Sequence, residues 1–493
     1  MRKLNEIQVL AAASPHRCVV VEAIPGSGKT VVAVERFGIL RYSPGDERGV
    51  LAVAFNVAAV ATLKSRILER WGPTCLSFPH RVSTFDGIYR AILLYLVKAH
   101  YIQWPGDIKG FDVRESYYGL KGYSPNRAWG LSLVPDSNSV AKFYVSFQRL
   151  SGASQGGFET LGNFKSTIAS GVISYEDLRS LIDLVFNSPS FRDKVINWLQ
   201  SSYRCLIVDE AYDMNEHNVS FVDVCFEAGL SITIIGDPWQ TLYQWRGAKP
   251  NTVIKYCDEP SRGFVMYRLE KSYRFETSEL EEAALELRNG AELSLVEGTS
   301  SDVDVVLASQ WSSLWSLGAN VLPLSFGRPN DMVQALSCAM LNFLLERQFG
   351  TGSLFFDKSV QMLRLSSKAL ITFEKSIADH VLADLSLDPD VIAVLIKHID
   401  SHCQALGCYD RDLDKSEVSK LKTNLSLLAS RISEDHLVPG MTVNQAKGRE
   451  WDRVGVWFSS LPKKLHFEKE HHRKVYVAVT RGRRSTCFLK KIK

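Results

Sequence analysis

The stretch EAIPGSGKT, residues 22–30, decides the fold. A β-branched run, CVVVEAI at 18–24, leads into it, and VVAVERFGILR, with apolar residues at helical spacing, leads away. Strand, glycine turn and helix in that order form a phosphate loop. Backbone N–H groups can ring a phosphate only where no side chain intrudes. Gly26 and Gly28, with Ser27 between them, meet that need. Lys29 supplies a point charge for β- and γ-phosphates, and Thr30 a hydroxyl for Mg²⁺. Ala23 stands where the first glycine of such a loop is usual, and Ala is the smallest side chain that could be tolerated there.

Working outward, VLAVAF (50–55), CLIV (205–208) and ITIIG (232–236) read as further buried strands. Their alternation with helical stretches predicts an α/β fold with a parallel sheet. The strand at 205–208 runs into Asp209 and Glu210. Adjacent carboxylates at a strand end place a metal ligand, Asp209, beside a group that can orient water, Glu210, as phosphoryl transfer requires. Between about 88 and 200 the pattern changes. Aromatics cluster among Gly and Pro (Tyr101, Trp104, Phe111, Tyr117, Tyr118, Tyr123, Trp129), and helical segments are expected at about 140–150 and 175–200. Residues 331–430 read as mostly helical, and strand-like runs return at 454–458 and 486–489. Both α/β units are therefore expected to be interrupted by inserted material.

The chain has 493 residues, 45% hydrophobic and 23% charged, an ordinary balance for a folded protein. No apolar run reaches the roughly 18–20 residues of a membrane span, and the N-terminus does not read as a signal peptide. Nine scattered cysteines without a C-x-x-C pair argue for reduced thiols and a cytoplasmic setting. The formal charge is +4, but residues 463–493 carry eleven Lys/Arg against two Glu, so the remainder is net negative. A basic stretch of this kind fits phosphate contact, but on charge alone a solvated basic face is the preferred reading.

The motif IIGDPWQTLYQWRGA (234–248) resembles the third motif of superfamily 1 DNA helicases of the UvrD/PcrA/Rep type. Further family-like motifs follow in order: LNEIQ (4–8), LAVAFNVAA (51–59), STFDGIYRAIL (83–93), LEKSYRF (269–275), TVNQAKGREWDRV (442–454) and YVAVTRGRR (476–484). Members of that family commonly begin the phosphate loop with Ala, so the resemblance accommodates Ala23. It implies two RecA-like parallel-sheet P-loop lobes with helical accessory insertions. The first lobe is expected over 1–86 and 201–275, interrupted by an insertion at 87–200. The second is expected over 276–330 and 431–493, interrupted by a reduced helical insertion at 331–430.

The resemblance also implies roles. Gln8 would read the adenine edge, Tyr273 would stack on the base, Gln240 would sense the γ-phosphate and Glu450 would meet the ribose. Arg274 and Arg481 would act as arginine fingers. Departures are visible: Tyr212 replaces the usual Gln after the paired carboxylates, and Asp86 stands where His is usual. A motor on a single strand needs base stacking and backbone contacts that tolerate any sequence. Trp245, Tyr243, Phe55 and Phe85 are the stacking candidates, and Arg246 and Thr84 the phosphate candidates, with core packing as the competing reading for each aromatic. His398, His402, Cys403 and Cys408 lie close together, but their spacing matches no zinc signature, and exposed polar residues on a helix is the preferred reading.

The function expected is an ATP- and Mg²⁺-dependent translocase and helicase, moving 3′→5′ on single-stranded DNA and engaging single-strand/duplex junctions. The alternative is a DNA-sensing ATPase subunit that regulates a partner nuclease with little unwinding of its own, as in bacterial antiviral (phage-defence) systems such as Gabija. A DNA-binding chain without hydrolysis is a third reading, disfavoured by the intact set of charged motif residues.

Overall fold

The computed structural model describes residues 3–136 and 139–490, with the side chains of 125–128, 136, 139–141 and 151–156 outside that description. Met1, Arg2 and the last three residues of the basic C-terminal stretch, Lys491, Ile492 and Lys493, lie outside the described residues. The chain divides into two compact units, Met1–Tyr273 and Arg274–Lys493.

In the first unit the strands are β1 (Cys18–Ala23), β2 (Gly49–Ala54), β3 (Arg81–Thr84), β4 (Ile102–Gln103), β5 (Asp112–Arg114), β6 (Tyr123–Asp136), β7 (Ser139–Phe158), β8 (Val172–Ser174), β9 (Tyr203–Val208), β10 (Ser231–Gly236) and β11 (Val265–Leu269). The helices are α1 (Glu6–Ala13), α2 (Lys29–Tyr42), α3 (Val57–Trp71), α4 (Phe85–Lys98), α5 (Leu161–Ala169), α6 (Tyr175–Asn187), α7 (Pro189–Ser202), α8 (Glu216–Glu227) and α9 (Pro250–Asp258). Six strands form one sheet in the order β11-β1-β10-β9-β2-β3. Every pairing in it is parallel, for example Val20 beside Ile234 and Leu51 beside Leu206.

Because strand side chains alternate between faces, β1 feeds two cores. Val19, Val21 and Ala23 pack with residues of α1, α2 and α3. Cys18 and Val20 pack with α4, α8 and material from the insertion. A sheet covered on both faces explains why its strands read as continuous apolar runs.

The insertion differs from the sequence expectation in one element. Residues 140–150 are not helical: they belong to β7, which pairs antiparallel with β6. Leu131 lies opposite Phe147 and Leu133 opposite Val145. Phe143, Val145 and Phe147 recur with period two, and all three pack toward the core. The expected helical region at 175–200 is realised as α6 and α7.

The second unit contains β12 (Val296–Gly298), β13 (Val305–Ala308), β14 (Val321–Pro323), β15 (Val438–Thr442), β16 (Trp451–Trp457) and β17 (Gly482–Leu489). Its helices are α10 (Ser278–Arg288), α11 (Trp311–Trp315), α12 (Met332–Phe349), α13 (Phe356–Met362), α14 (Ser367–Phe373), α15 (Asp379–Asp384), α16 (Pro389–Ala405), α17 (Lys415–Ile432), α18 (Val443–Ala446) and α19 (Glu470–Val479). The strands form an all-parallel sheet in the order β12-β17-β16-β13-β15-β14. Helices α12 to α17 enter between β14 and β15. Both sheets are therefore the parallel α/β sheets expected of RecA-like lobes.

Candidate nucleotide and nucleic-acid site

In a parallel sheet all carboxyl ends lie along one edge, and that edge is where α/β proteins bind ligands. Here β1 ends in the glycine turn, β10 in Asp237 and Gln240, β9 in Asp209 and Glu210, and β11 leads to Ser272 and Tyr273. On the other side of β9, β2 ends at Phe55 and β3 at Thr84. The topology thus gathers residues far apart in sequence along one edge of the first unit.

The turn at 24–28 is held by its own backbone. Ser27 donates its N–H and its hydroxyl to the Ile24 carbonyl, at 3.2 and 2.8 Å. Gly26 (φ 76°) and Gly28 (φ 86°) take left-handed conformations that cost most residues about 1–2 kcal/mol. Ala23 is still part of β1, paired beside Leu269 and buried, and is not among the positive-φ residues. A methyl group is therefore compatible with the position. Gly28 caps α2 without a side-chain hydrogen bond, and the first turn of α2 has no acidic residue. Such a helix start presents backbone donors and a positive dipole end to an anion. Lys29 and Thr30 stand on that first turn.

Gln8 lies against the same turn. Its Nε2 donates to the Ser27 carbonyl at 2.8 Å, and its Oε1 accepts from the Asn5 N–H at 3.0 Å. A Cβ on Gly28 would come within 2.7 Å of that Nε2, so both conformation and space favour glycine there. Asn5 donates to the Tyr273 hydroxyl at 3.0 Å, and the Tyr273 N–H donates to the Gly26 carbonyl at 2.9 Å. Gln8 and Tyr273, proposed for the base, are both joined to the phosphate turn.

Asp209 is buried, and its Oδ1 accepts from the Glu210 N–H at 3.0 Å. Glu210 is left-handed at φ 53°, a strained conformation for a residue with a side chain and of the kind found at functional turns. Gln240 is buried and donates from Nε2 to Asp237 Oδ2 at 2.6 Å. Tyr212, the departure from the family pattern, is also buried. Its hydroxyl donates to Glu22 Oε1 at 3.3 Å, and its ring lies 2.7 Å from where a Cβ on Gly236 would be. It bridges β1 and the end of β10, a link the sequence did not disclose.

Arg274 and Glu450 belong to the second unit and meet there: Arg274 Nε lies 3.0 Å from Glu450 Oε2, and Nη1 donates to the Thr480 carbonyl at 2.8 Å. Arg481 is fully buried, with Nε donating to the Val477 carbonyl at 3.0 Å.

The nucleic-acid candidates separate into two groups. Phe55 and Tyr243 stack with ring centroids 5.1 Å apart and a 23° interplanar angle. Trp245 is 61% exposed, and the Arg246 guanidinium lies 4.6 Å from its ring. Phe85 does not join them. It is buried, edge-on to Phe221 with centroids 6.1 Å apart, because the first turn of α4 faces the core. Core packing, the competing reading, accounts for this ring. Thr84 Oγ1 caps α4 by accepting the Gly87 N–H at 3.0 Å. Asp86, in place of His, accepts two bonds from Arg179 of α6 at 2.7 and 2.6 Å.

The His/Cys cluster on and after α16 also corrects its reading. Cys403 and Cys408 are buried rather than exposed: Cys403 lies on the inward face of α16, and Cys408 follows the end of the helix. The His398 and His402 rings lie 4.0 Å apart between centroids, tilted by 32°, and no metal-binding group of three or more ligands occurs among the described residues. No helix among the described residues is long and apolar enough to cross a membrane.

The model of the UvrD/REP helicase N-terminal domain matches residues 4–122 and 132–260, half of the chain. The chain belongs to the UvrD/REP helicase family. DNA helicase II of Escherichia coli K12 is 26% identical over 339 residues, 65% of this chain and 43% of the relative. DNA helicase II of Salmonella typhimurium LT2 is 26% identical over 307 residues, 58% of this chain and 41% of the relative. ATP-dependent DNA helicase Rep of Buchnera aphidicola is 24% identical over 271 residues, 50% of this chain and 39% of the relative. The matches span about two-fifths of the length of these curated relatives. The UvrD/REP match in this chain includes the glycine turn, the Asp209–Glu210 pair and the Gln240–Arg246 segment.

Proposed function

We propose that this UvrD/REP family chain is an ATP-hydrolysing DNA helicase that moves 3′→5′ along single-stranded DNA toward single-strand/duplex junctions. The observation that carries the reading is the shared sheet edge. The glycine turn, the paired carboxylates and Gln240 follow β1, β9 and β10, while Phe55 and Thr84 follow β2 and β3 of the same sheet. One edge thus serves fuel and track.

The residues fit a Mg²⁺–triphosphate. The first turn of α2 lacks a side-chain cap, glycine fills the close approach at position 28, and a buried carboxylate ends the strand two places away in the sheet. Lys29 and the turn N–H groups would hold the phosphates, and Thr30 and Asp209 the metal, which supplies charge neutralisation when bound. Glu210 orients and deprotonates water. Gln240 reports on the γ-phosphate, Gln8 and Tyr273 hold the base, and Glu450 meets the ribose. Arg274 and Arg481, carried by the second unit, provide the guanidinium charge that stabilises the transferring phosphoryl. On the track, Trp245 and the Tyr243–Phe55 pair stack on bases, and Arg246 and Thr84 hold phosphates.

ATP hydrolysis measured with and without single-stranded DNA tests this. Strong stimulation by DNA, abolished by Lys29→Ala, is expected, and hydrolysis indifferent to DNA sinks the reading. Stimulated hydrolysis without strand displacement would favour the alternative, an ATPase that gates a partner nuclease.

A further inference from the structure

Arg36, on the second turn of α2, is a buried cation that the proposed chemistry does not use. It is 1% exposed, and burial pushes its guanidinium below the ordinary arginine range. Among the described residues no carboxylate pairs with it. Its partners are neutral oxygens. Nε donates to Thr233 Oγ1 on β10 at 2.6 Å. Nη1 reaches the carbonyls of Ala11, Ala12 and Ser14 at 3.4, 3.2 and 3.0 Å.

Those carbonyls end α1, where a helix leaves its last acceptors unsatisfied and its dipole favours a cation. α1 is only eight residues long, too short to be stable alone. Its apolar side is thin as well: Ile7, Val9 and Leu10 are exposed, and Ala11 and Ala12 supply the buried surface. Arg36 therefore does what packing does not, fastening α1 to α2 and to β10. The opposite end of α1 carries Asn5 and Gln8, which touch Tyr273 and Ser27. One guanidinium thus ties together the helix bearing Gln8, the helix bearing Lys29 and Thr30, and the strand leading to Gln240.

We infer that Arg36 is a positioning residue for base recognition: by clamping the end of α1 it fixes Gln8 over the glycine turn and sets the preference for adenine nucleotides. The inference rests on the nucleotide site proposed above and concerns selectivity, not hydrolysis.

Equilibrium binding of ATP and GTP, by competition against a fluorescent ATP analogue in the full chain, tests it apart from turnover. Arg36→Lys keeps the charge but cannot span both partners. It is expected to weaken ATP binding by about three- to tenfold, the worth of one or two hydrogen bonds, and to leave GTP binding unchanged. Thr233→Val, which leaves the cation in place, shifts ATP binding the same way by less, and serves if Arg36→Lys does not fold. Gln8→Ala produces the same loss, and combining it with Arg36→Lys adds little, since both act through one contact. An unchanged ATP-to-GTP ratio in both Arg36→Lys and Thr233→Val, strict additivity with Gln8→Ala, or a wild-type protein indifferent to the base overturns the inference. Absence of hydrolysis with selectivity intact would overturn the proposed activity and leave Arg36 in its role.

Discussion

At the scale of single residues, the proposed site divides charge between binding and chemistry, and that division is testable. Lys29→Ala removes a charge from both the ground state and the transition state, so hydrolysis should fall by about 10²–10³ with ATP affinity weakened, read from DNA-stimulated phosphate release. Glu210→Gln keeps the shape and the left-handed turn but removes the base. Turnover should drop by ~10²–10⁴ while nucleotide binding persists. Equal loss of binding in both variants would contradict this division. The aromatics divide as sharply. Trp245→Ala is expected to lose about 1–3 kcal/mol of single-stranded DNA affinity with the melting temperature unchanged. Phe85→Ala should instead cost about 3–5 kcal/mol of stability, because its ring fills a buried position against Phe221. The placement of Lys29, Thr30, Asp209 and Glu210 at a glycine turn and a strand end was readable, because each is contiguous in sequence with its strand. The burial of Phe85 was not, because a ring in a motif proposed to contact DNA and a ring in the core carry the same local pattern.

At the scale of elements, two histidines anchor the first unit with opposite pH signatures. His80 Nδ1 accepts the Val50 N–H at 3.0 Å at the start of β2, and burial lowers its pKa to about 4. It must stay neutral to do so. The stability it contributes is complete above the unfolded value near 6.5 and is lost as pH falls toward about 4. His217, at the start of α8, is hydrogen-bonded to Asp183 of α6, which raises its pKa. Its contribution is complete below the unfolded value and fades as pH rises through the folded one. Thermal melts across pH should show His80→Gln removing slope on the acid side, and Asp183→Asn destabilising more at low pH than above neutrality. A parallel shift at every pH would refute both assignments. The same helix binds Asp86 through Arg179, so α6 fastens the insertion at two points one turn apart. These links are invisible in sequence, where the partners lie 93 and 34 residues apart. The β6–β7 pair was misread for another reason: Phe143, Val145 and Phe147 alternate, yet short apolar runs fit helix and strand alike unless period two is weighed first.

At the scale of the whole molecule, the parallel sheets were legible because both faces are covered, which leaves apolar runs that no half-exposed strand shows. The short strands β12 to β15 were not, since runs of three to five residues gain their strand character from neighbours brought in by the fold. The proposed motor places its transition-state charges in the second unit. Arg274, paired with Glu450, and Arg481, bonded to the Val477 carbonyl, sit on a framework separate from the glycine turn. If their role is to stabilise charge that develops only during phosphoryl transfer, Arg274→Lys and Arg481→Lys should leave ATP affinity nearly intact while turnover falls by ~10³ or more. Strand displacement should fail in the same proportion, and in the wild type it should require a 3′ single-stranded tail rather than a 5′ one. Turnover retained in both arginine variants would remove the second unit from the chemistry, and unwinding from a 5′ tail would reverse the track.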